Sequence, residues 1–224
     1  QFYNPAYGGE VYYDTPSTLG AVQFWGDLAN RYKVMPPGVT EQGQVAADFY
    51  AGRASMIVMS TGALSAVRNG TSGKFAYGVG FIPRNVMNSV PIGGASLIAF
   101  KGLTPAQRKA AWKFMSWMSA PEQLGAWSRF TGYFAPRIST YDLPAMKQFV
   151  QQHPDALKAV EQLKYAGPWL ATYNTVAVRK ALDDEMQAVL SGKKDAAQAV
   201  KDAQKNANDI LRPFNERIVK PIGS

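Results

Sequence analysis

The sequence predicts an α/β protein in which short apolar strands alternate with amphipathic helices. Three compact apolar runs bounded by turn residues predict strands at residues 53–60, 75–83 and 91–100. Apolar residues at helical spacing predict helices before, between and after these runs. The chain has 224 residues, of which 46% are hydrophobic, and is therefore long enough to bury a sizeable core.

Capping signals define where the predicted helices begin. Thr15 is a typical N-cap and Pro16 suits the first helical position, so a helix is expected from there towards Tyr32. Thr104 and Pro105 begin another helix, and Pro121 begins the one after it. The spacing within the first of these two predicts a buried stripe made of Ala111, Phe114, Met115 and Met118.

The remaining helices are predicted from periodicity and from helix-ending residues. Residues 41–51 and the stretch STGALSAV after the first strand each predict a short helix. Gly192 indicates the end of a long helix. The other expected helical ranges are 144–152, 155–164, 175–191 and 195–211.

Charge and cysteine content exclude several classes of protein. The formal net charge is +8, but the basic residues are scattered and carry no interleaved aromatic residues, which disfavours nucleic acid as a partner. The chain contains no cysteine, so disulfides, zinc ribbons and thiol catalysis are excluded. No segment reaches the ~20 apolar residues that a membrane-spanning helix requires.

Catalysis and cofactor binding have little support in the sequence. The single histidine, His153, precedes a proline and is expected in an exposed loop, so a histidine-based metal site or catalytic triad is hard to build. The three carboxylates of residues 183–185 point in different directions on a helix and are expected to be solvated. Gly78 and Gly80 lack the third glycine of a dinucleotide-binding motif, and no Walker motif is present. No enzyme activity, cofactor or metal is therefore predicted.

Two glycine- and hydroxyl-rich stretches are better suited to binding. Ser60 and Thr61, in MSTG, follow a strand and precede a helix, where hydroxyls and free N–H groups can hold an anion or sugar hydroxyls. Ordinary N-capping explains the same residues. Gly94, in GGAS, permits close approach of the backbone to a ligand, and a simple hinge is its alternative.

Aromatic side chains and an arginine mark two further stretches. Tyr133, in TGYFAPR, offers a ring and a hydroxyl, although a buried structural tyrosine is the alternative. Trp169 and Tyr173 can form an aromatic wall beside Arg179, whose guanidinium can bind phosphate or carboxylate in a bidentate manner. The alternative for Arg179 is an exposed ion pair with Asp183 at i,i+4.

Taken in order, these stretches resemble the extracellular solute-binding proteins of family 1, which serve ABC importers for sugars and related solutes. The residues that carry the resemblance are SMIVMSTGALSAV, YGVGFIP, PIGGASLIAF, AAWKFMSWMSAPEQLGAWSRFTGYFAPR and the tail beginning AVRKALDDEM. Within the family, the chain is most similar to the members that bind glycerol 3-phosphate. The resemblance covers nearly all of the chain, and the order of the motifs is more specific than any one motif.

The resemblance implies the fold of the type II periplasmic binding proteins, with two α/β lobes around a ligand cleft and a hinge between them. Residues 1–90 and 136–224 are then expected in the carboxy-terminal lobe, and residues 93–135 in a segment of the amino-terminal lobe. Family members carry a long amino-terminal half before the stretch matching QFYNPAYGG. We therefore expect this chain to be the carboxy-terminal portion of a longer protein.

The resemblance also implies a ligand, a set of contacts and partners. A phosphate ester, glycerol 3-phosphate or a glycerophosphodiester, would be held by Ser60, Gly94, Tyr133 and Arg179, with Trp169 and Tyr173 as weaker candidates. The partners implied are the transmembrane subunits of an ABC importer. The implied location is periplasmic or extracellular, with a lipid anchor left open.

Three alternatives stay open. A receptor for a neutral sugar or oligosaccharide would use the same aromatic residues, which stack on apolar sugar faces. An enzyme with Ser60 as nucleophile would need a base, for which Lys74 and Lys101 are the nearest candidates. A structural fragment without ligand affinity is the third.

Overall fold

A computed structural model of the chain describes residues 3–218, without the side chain of Ile218. The residues divide into two compact units, unit 1 (Gln1–Glu41 and Pro168–Ser224) and unit 2 (Gln42–Gly167). The lobe boundaries expected from the resemblance, 1–90 with 136–224 and 93–135, fall elsewhere and stay a prediction. Their terminal residues, 1–2 and 219–224, lie outside the described residues. Within residues 3–218, no helix is long and apolar enough to cross a membrane.

Helices dominate both units. In chain order the elements are α1 (Pro16–Gly26), α2 (Gln42–Tyr50), α3 (Leu64–Thr71), β1 (Val90–Pro91), α4 (Pro105–Met118), α5 (Pro121–Thr131), α6 (Pro144–Gln152), α7 (Lys158–Gln162), β2 (Ala166–Gly167), α8 (Thr175–Leu190) and α9 (Ala196–Ile218). A π-helical turn, Asp27–Arg31, continues α1. Short 3₁₀ turns precede α3, α6 and α7, and another follows α7.

Unit 1 is built on the packing of α8 against α9, with α1 lying against both helices. Alanines on the inner face of α9 allow the helices to approach closely, because alanine adds little volume at the contact. The buried side chains form two apolar clusters. The first cluster contains Tyr3, Val11, Tyr13, Val178, Ala181, Ala203, Ala207 and Leu211. The second cluster contains Val22, Val189, Ala196, Ala199 and Val200.

The capping predictions for unit 1 are confirmed. The Thr15 hydroxyl accepts a hydrogen bond from the Thr18 N–H, and Pro16 occupies the first turn of α1. Gly192 follows α8 with φ +72°, a left-handed conformation that favours glycine. The final helix extends beyond its predicted end at residue 211 and continues through Pro213.

Unit 2 positions its loops through packed helices. α3 packs against α5, and α5 packs against α6. The predicted helix starts at Pro105, Pro121 and Pro144 are confirmed. Thr104 and Gln107 form a reciprocal capping box at the start of α4. Strands β1 and β2 pair in parallel, with Val90 opposite Ala166.

The prediction of three regular strands in unit 2 is wrong. Residues 53–60 and 75–83 contain no strand, and only Val90–Pro91 pairs near the run predicted at 91–100. A strand requires neighbours that satisfy its N–H and C=O groups. Among the described residues, Ala166–Gly167 is the only segment that pairs with β1 in this way.

Two predictions about burial and one about a helix are also corrected. The α4 stripe is not buried, since Phe114 is 55% exposed and Met118 is 37% exposed. An apolar stripe becomes buried only where another element packs on it.

His153 is half-buried and lies near the Phe149 ring, rather than being fully exposed. The helix predicted at 155–164 is instead a short α-helix, α7, between two 3₁₀ turns.

Candidate functional site

Arg179 lies in the first turns of α8 and is exposed. Its guanidinium carbon lies over the Trp169 ring, 5.1 Å from the ring centroid, which is a cation–π contact. Trp169 is itself 46% exposed. The structure therefore brings together two of the three site residues that the sequence predicts in unit 1.

Tyr173, the third predicted residue of unit 1, is fixed by its own contacts. Its backbone N–H donates to the Gly8 carbonyl at 2.8 Å. Its ring stacks on Phe214, with centroids 4.7 Å apart and planes inclined by 14°. One face of the Tyr173 ring is thus occupied within the protein, and the ring is still 46% exposed.

The loop that carries Trp169 and Tyr173 enters α8 through a tight local arrangement. The Thr175 hydroxyl accepts from the Thr172 N–H at 2.9 Å and donates to the Thr172 carbonyl at 2.6 Å. Asn174 adopts the left-handed conformation, with φ 49° and ψ 46°, which asparagine tolerates better than most residues. Leu170 packs against the first apolar cluster. These contacts hold the loop in place.

The ion pair proposed as the alternative for Arg179 does not form in the described part of the chain. Lys180 pairs with Asp184 at 2.5 Å, and Glu185 pairs with Lys194 at 2.5 Å, but Asp183 makes no ion pair with Arg179. Cation–π contact leaves the positive charge of a guanidinium intact, unlike an ion pair. Arg179 therefore keeps its charge for another anion.

The charges of Asp183 and Arg179 both affect the pKa of Tyr13. Its ring is buried, and its hydroxyl donates to the Val178 carbonyl at 3.1 Å. Burial, the largest cause, acts with the negative charge of Asp183 to raise the pKa of Tyr13 to about 12, and the positive charge of Arg179 opposes the rise. The first turns of α8 thus bind a buried tyrosine of the unit 1 core through Val178, next to Arg179 in the sequence.

In unit 2, the structure brings the Ser60 and Tyr133 stretches together. A Cβ placed on Gly62 would lie only 2.2 Å from Cζ of Tyr133, so the tyrosine ring rests directly on the Gly62 backbone. A Cβ placed on Gly132, whose φ is +99°, would lie 2.7 Å from Cβ of Leu64 and 2.9 Å from the carbonyl oxygen of Thr61. The Ser65 hydroxyl donates to the Arg129 carbonyl at 3.3 Å. The two predicted stretches therefore form one surface of unit 2.

Ser60 and Tyr133 are both exposed on this surface. The Ser60 hydroxyl accepts a hydrogen bond from the Gly62 N–H at 3.2 Å, so it caps the 3₁₀ turn before α3. This confirms the capping role that was the alternative for Ser60, and the binding role stays a prediction. The Tyr133 ring is 45% exposed, so it is not the buried structural tyrosine that was its alternative.

Gly94 lies in an exposed stretch of unit 2. A Cβ placed on it would have no heavy atom within 4 Å, so its backbone is open to a ligand. The six predicted residues thus fall into both units: Ser60, Gly94 and Tyr133 in unit 2, and Trp169, Tyr173 and Arg179 in unit 1.

Sequence reasoning missed the two glycines that shape the surface of unit 2. Gly62 and Gly132 sit inside the very motifs quoted for ligand binding, STG and TGY, but were not singled out. Their spacing gives no sign that the two motifs touch, because the packing of α3 against α5 brings them together. It also missed Phe214, which supports Tyr173 from α9.

The chain belongs to a family described as bacterial extracellular solute-binding proteins, whose model matches residues 6–154. It is 32% identical over 178 residues to the sn-glycerol-3-phosphate-binding periplasmic protein UgpB of Pectobacterium atrosepticum. The UgpB of Escherichia coli K12 is 31% identical over 178 residues. Each match covers 75% of this chain, and the chain spans 40% of the length of these relatives.

Solved structures share the fold. The cyclic α-maltosyl-1,6-maltose binding protein of Arthrobacter globiformis matches with a TM-score of 0.77 at 23% identity, covering 95% of this chain and 52% of that one. UgpB of Mycobacterium tuberculosis, in complex with glycerophosphocholine, matches with a TM-score of 0.77 at 21% identity, covering 94% and 52%. The α/β fold of the type II periplasmic binding proteins is thereby confirmed.

Proposed function

We propose that this chain is part of the substrate-binding component of an ABC importer, and that the protein binds glycerol 3-phosphate or a glycerophosphodiester. Membership of the extracellular solute-binding family and the names of the UgpB relatives support the class and the ligand. Its partners are the transmembrane subunits of the importer, and its location is periplasmic or extracellular. The protein acts as a receptor and not as an enzyme.

The observation that carries the proposal is that the Arg179 guanidinium is exposed, stacked on Trp169 and without a carboxylate partner among the described side chains. A planar guanidinium matches two phosphate oxygens in a bidentate contact. It also lies near the amino-terminal end of α8, where the helix dipole favours a negative charge. Arg179 thus binds the phosphate group.

Under this proposal, the predicted residues of unit 2 contact the glycerol part of the ligand. Ser60 and Tyr133 supply hydroxyls, and the open backbone of Gly94 supplies a polar group without steric hindrance. Trp169 lies against the Arg179 guanidinium, and Tyr173 follows Trp169 on the same loop. Neutral hydroxyl contacts of this kind contribute orientation, whereas the charged contact contributes most of the affinity.

Calorimetric titration with glycerol 3-phosphate, glycerophosphocholine and maltose tests the proposal in the protein of full native length. We expect a phosphate ester to bind and Arg179→Gln to weaken that binding about 10- to 100-fold, as expected when a charged hydrogen-bonding group is lost. Lys180→Gln is the matched control. It removes the same charge from the adjacent residue, but Lys180 is already paired with Asp184. Equal losses in the two variants, or no phosphate-ester binding, would contradict the proposal.

A neutral sugar or oligosaccharide is the second candidate ligand. The exposed rings of Tyr133, Trp169 and Tyr173 favour it, because aromatic rings stack on the apolar faces of sugars. The solved structures of similar fold include a maltose-bound protein of T. maritima with a TM-score of 0.75. Maltose binding that tolerates Arg179→Gln, with no binding of either phosphate ester, would favour this candidate.

A further inference from the structure

Trp169 and Arg179 form a contact whose geometry suits a role different from direct ligand binding. The guanidinium lies over the indole face at 5.1 Å from the ring centroid. An indole ring offers no hydrogen-bond acceptor atom, so this contact does not use the N–H donors of the guanidinium as a carboxylate would. Those N–H groups stay available to an anion.

The stack differs from the ways in which arginines are more commonly held. A carboxylate would fix the guanidinium but would occupy two N–H donors and cancel its charge. The indole ring is neutral, and among the described side chains Arg179 forms no ion pair with Asp183, while Asp184 is paired with Lys180. The arrangement therefore fixes the direction of the guanidinium while it leaves its charge and donors free.

The loop that carries Trp169 is held in place by contacts of its neighbouring residues. The next residue, Leu170, packs against the apolar core of unit 1. Four residues along the chain, Tyr173 is held by Gly8 and by stacking on Phe214. A ring placed on such a loop limits the rotamers that the long Arg179 side chain can adopt, which lowers the entropy lost when a ligand binds.

We propose that Trp169 is a positioning residue, which holds the Arg179 guanidinium in the orientation that accepts a phosphate ester. It acts on the ligand through Arg179 and not by contacting it. This inference rests on the proposed function, because it assigns the orientation of the same arginine.

A double-mutant cycle in the full-length protein tests this role. Trp169→Leu weakens glycerol 3-phosphate binding about 3- to 30-fold, as expected for the loss of a cation–π contact, and Trp169→Phe restores part of it. In an Arg179→Gln background, Trp169→Leu has no further effect. Trp25→Leu is the matched control, since Trp25 is an exposed indole of unit 1 on α1, and it leaves the affinity unchanged.

A second readout examines the stack without any ligand. The ¹⁵N–¹H side-chain resonance of Arg179 shifts in Trp169→Leu, because the ring current of the indole is lost, and does not shift in Trp25→Leu. A loss of affinity that persists in the Arg179→Gln background would mean that Trp169 contacts the ligand directly, which overturns the proposal. Unchanged affinity in Trp169→Leu overturns it as well, while leaving the proposed function intact. Absence of phosphate-ester binding in the wild type overturns both, even if the resonance shift is observed.

Discussion

Single glycines determine how the two stretches predicted to bind ligand in unit 2, around Ser60 and Tyr133, pack together. The Tyr133 ring occupies the space in which any side chain at position 62 would begin, with 2.2 Å between its Cζ and an added Cβ. Real Cβ atoms do not approach a ring so closely, so the ring must move if that residue gains a side chain. Gly62 thus fixes the orientation of the predicted ligand contact without touching a ligand.

Gly62→Ala is expected to displace the Tyr133 ring and to weaken ligand binding about 10-fold, because the hydroxyl leaves its position. The ring is partly exposed, so it can swing towards solvent and the loss of folding stability stays near 1 kcal/mol. Calorimetric titration and thermal unfolding measure the two effects. Gly78→Ala is the control, since an added Cβ there meets nothing within 4 Å. Full affinity in Gly62→Ala would show that the Tyr133 position is unimportant for binding.

At the scale of elements, local signals and packing make separate contributions. The start of α1 follows from Thr15 and Pro16, which satisfy the first turn by themselves. The contribution of α9 to stability comes from its inner face, where Ala203, Ala207 and Leu211 are almost completely buried against the rest of unit 1. The helix period predicts such a face, and α8 supplies the surface that covers it.

Leu211→Ala is expected to lower the free energy of unfolding by about 2–5 kcal/mol, since it removes buried methyl groups and leaves a cavity. Leu211 is 1% exposed, so little relaxation towards solvent is available. Asn206→Ala on the exposed face of α9 serves as the control and stays within about 0.5 kcal/mol of wild type. Urea unfolding followed by circular dichroism measures both. Equal effects at the two positions would contradict the described packing of α9.

At the scale of the whole molecule, one buried and two half-buried tyrosines make the free energy of unfolding depend on alkaline pH. Burial raises the pKa of Tyr13 in unit 1 to about 12, and it raises the pKa values of Tyr77 and Tyr141 in unit 2. Between the unfolded and the folded pKa, the folded state holds protons that the unfolded state has released. Stability from these groups is therefore complete below pH ~10 and is lost as pH rises through the folded pKa.

The free energy of unfolding should fall steeply between pH 10 and about 12. Tyr13→Phe removes one of the groups responsible, so its curve should fall less steeply over this window. At neutral pH the variant is less stable by about 1 kcal/mol, because the hydrogen bond to the Val178 carbonyl is lost. Urea titrations at pH 8, 10 and 11 test this, with exposed Tyr32→Phe as control. Parallel curves for wild type and Tyr13→Phe would contradict the assignment.

The sequence by itself determined the family and most helix starts, and it predicted a set of binding residues. Capping by Thr15, Thr104 and Gly192 depends on atoms within a few residues along the chain, so the sequence can encode it locally. The order of the quoted motifs was enough to identify the solute-binding family, which the family match confirms.

Only the tertiary structure decided which segments pair, which faces are covered and which charges are neutralised. The apolar run at 91–100 and the stripe of α4 have the right composition for a strand and a buried helix face. Strand pairing and burial require surfaces from distant parts of the chain, and these runs have few such partners in the described residues. Likewise, Arg179 lies i,i+4 from Asp183, yet it stacks on Trp169 ten residues earlier. Sequence spacing determines which side chains are able to contact each other. The folded structure determines which of these contacts form, because packing fixes the side-chain rotamers.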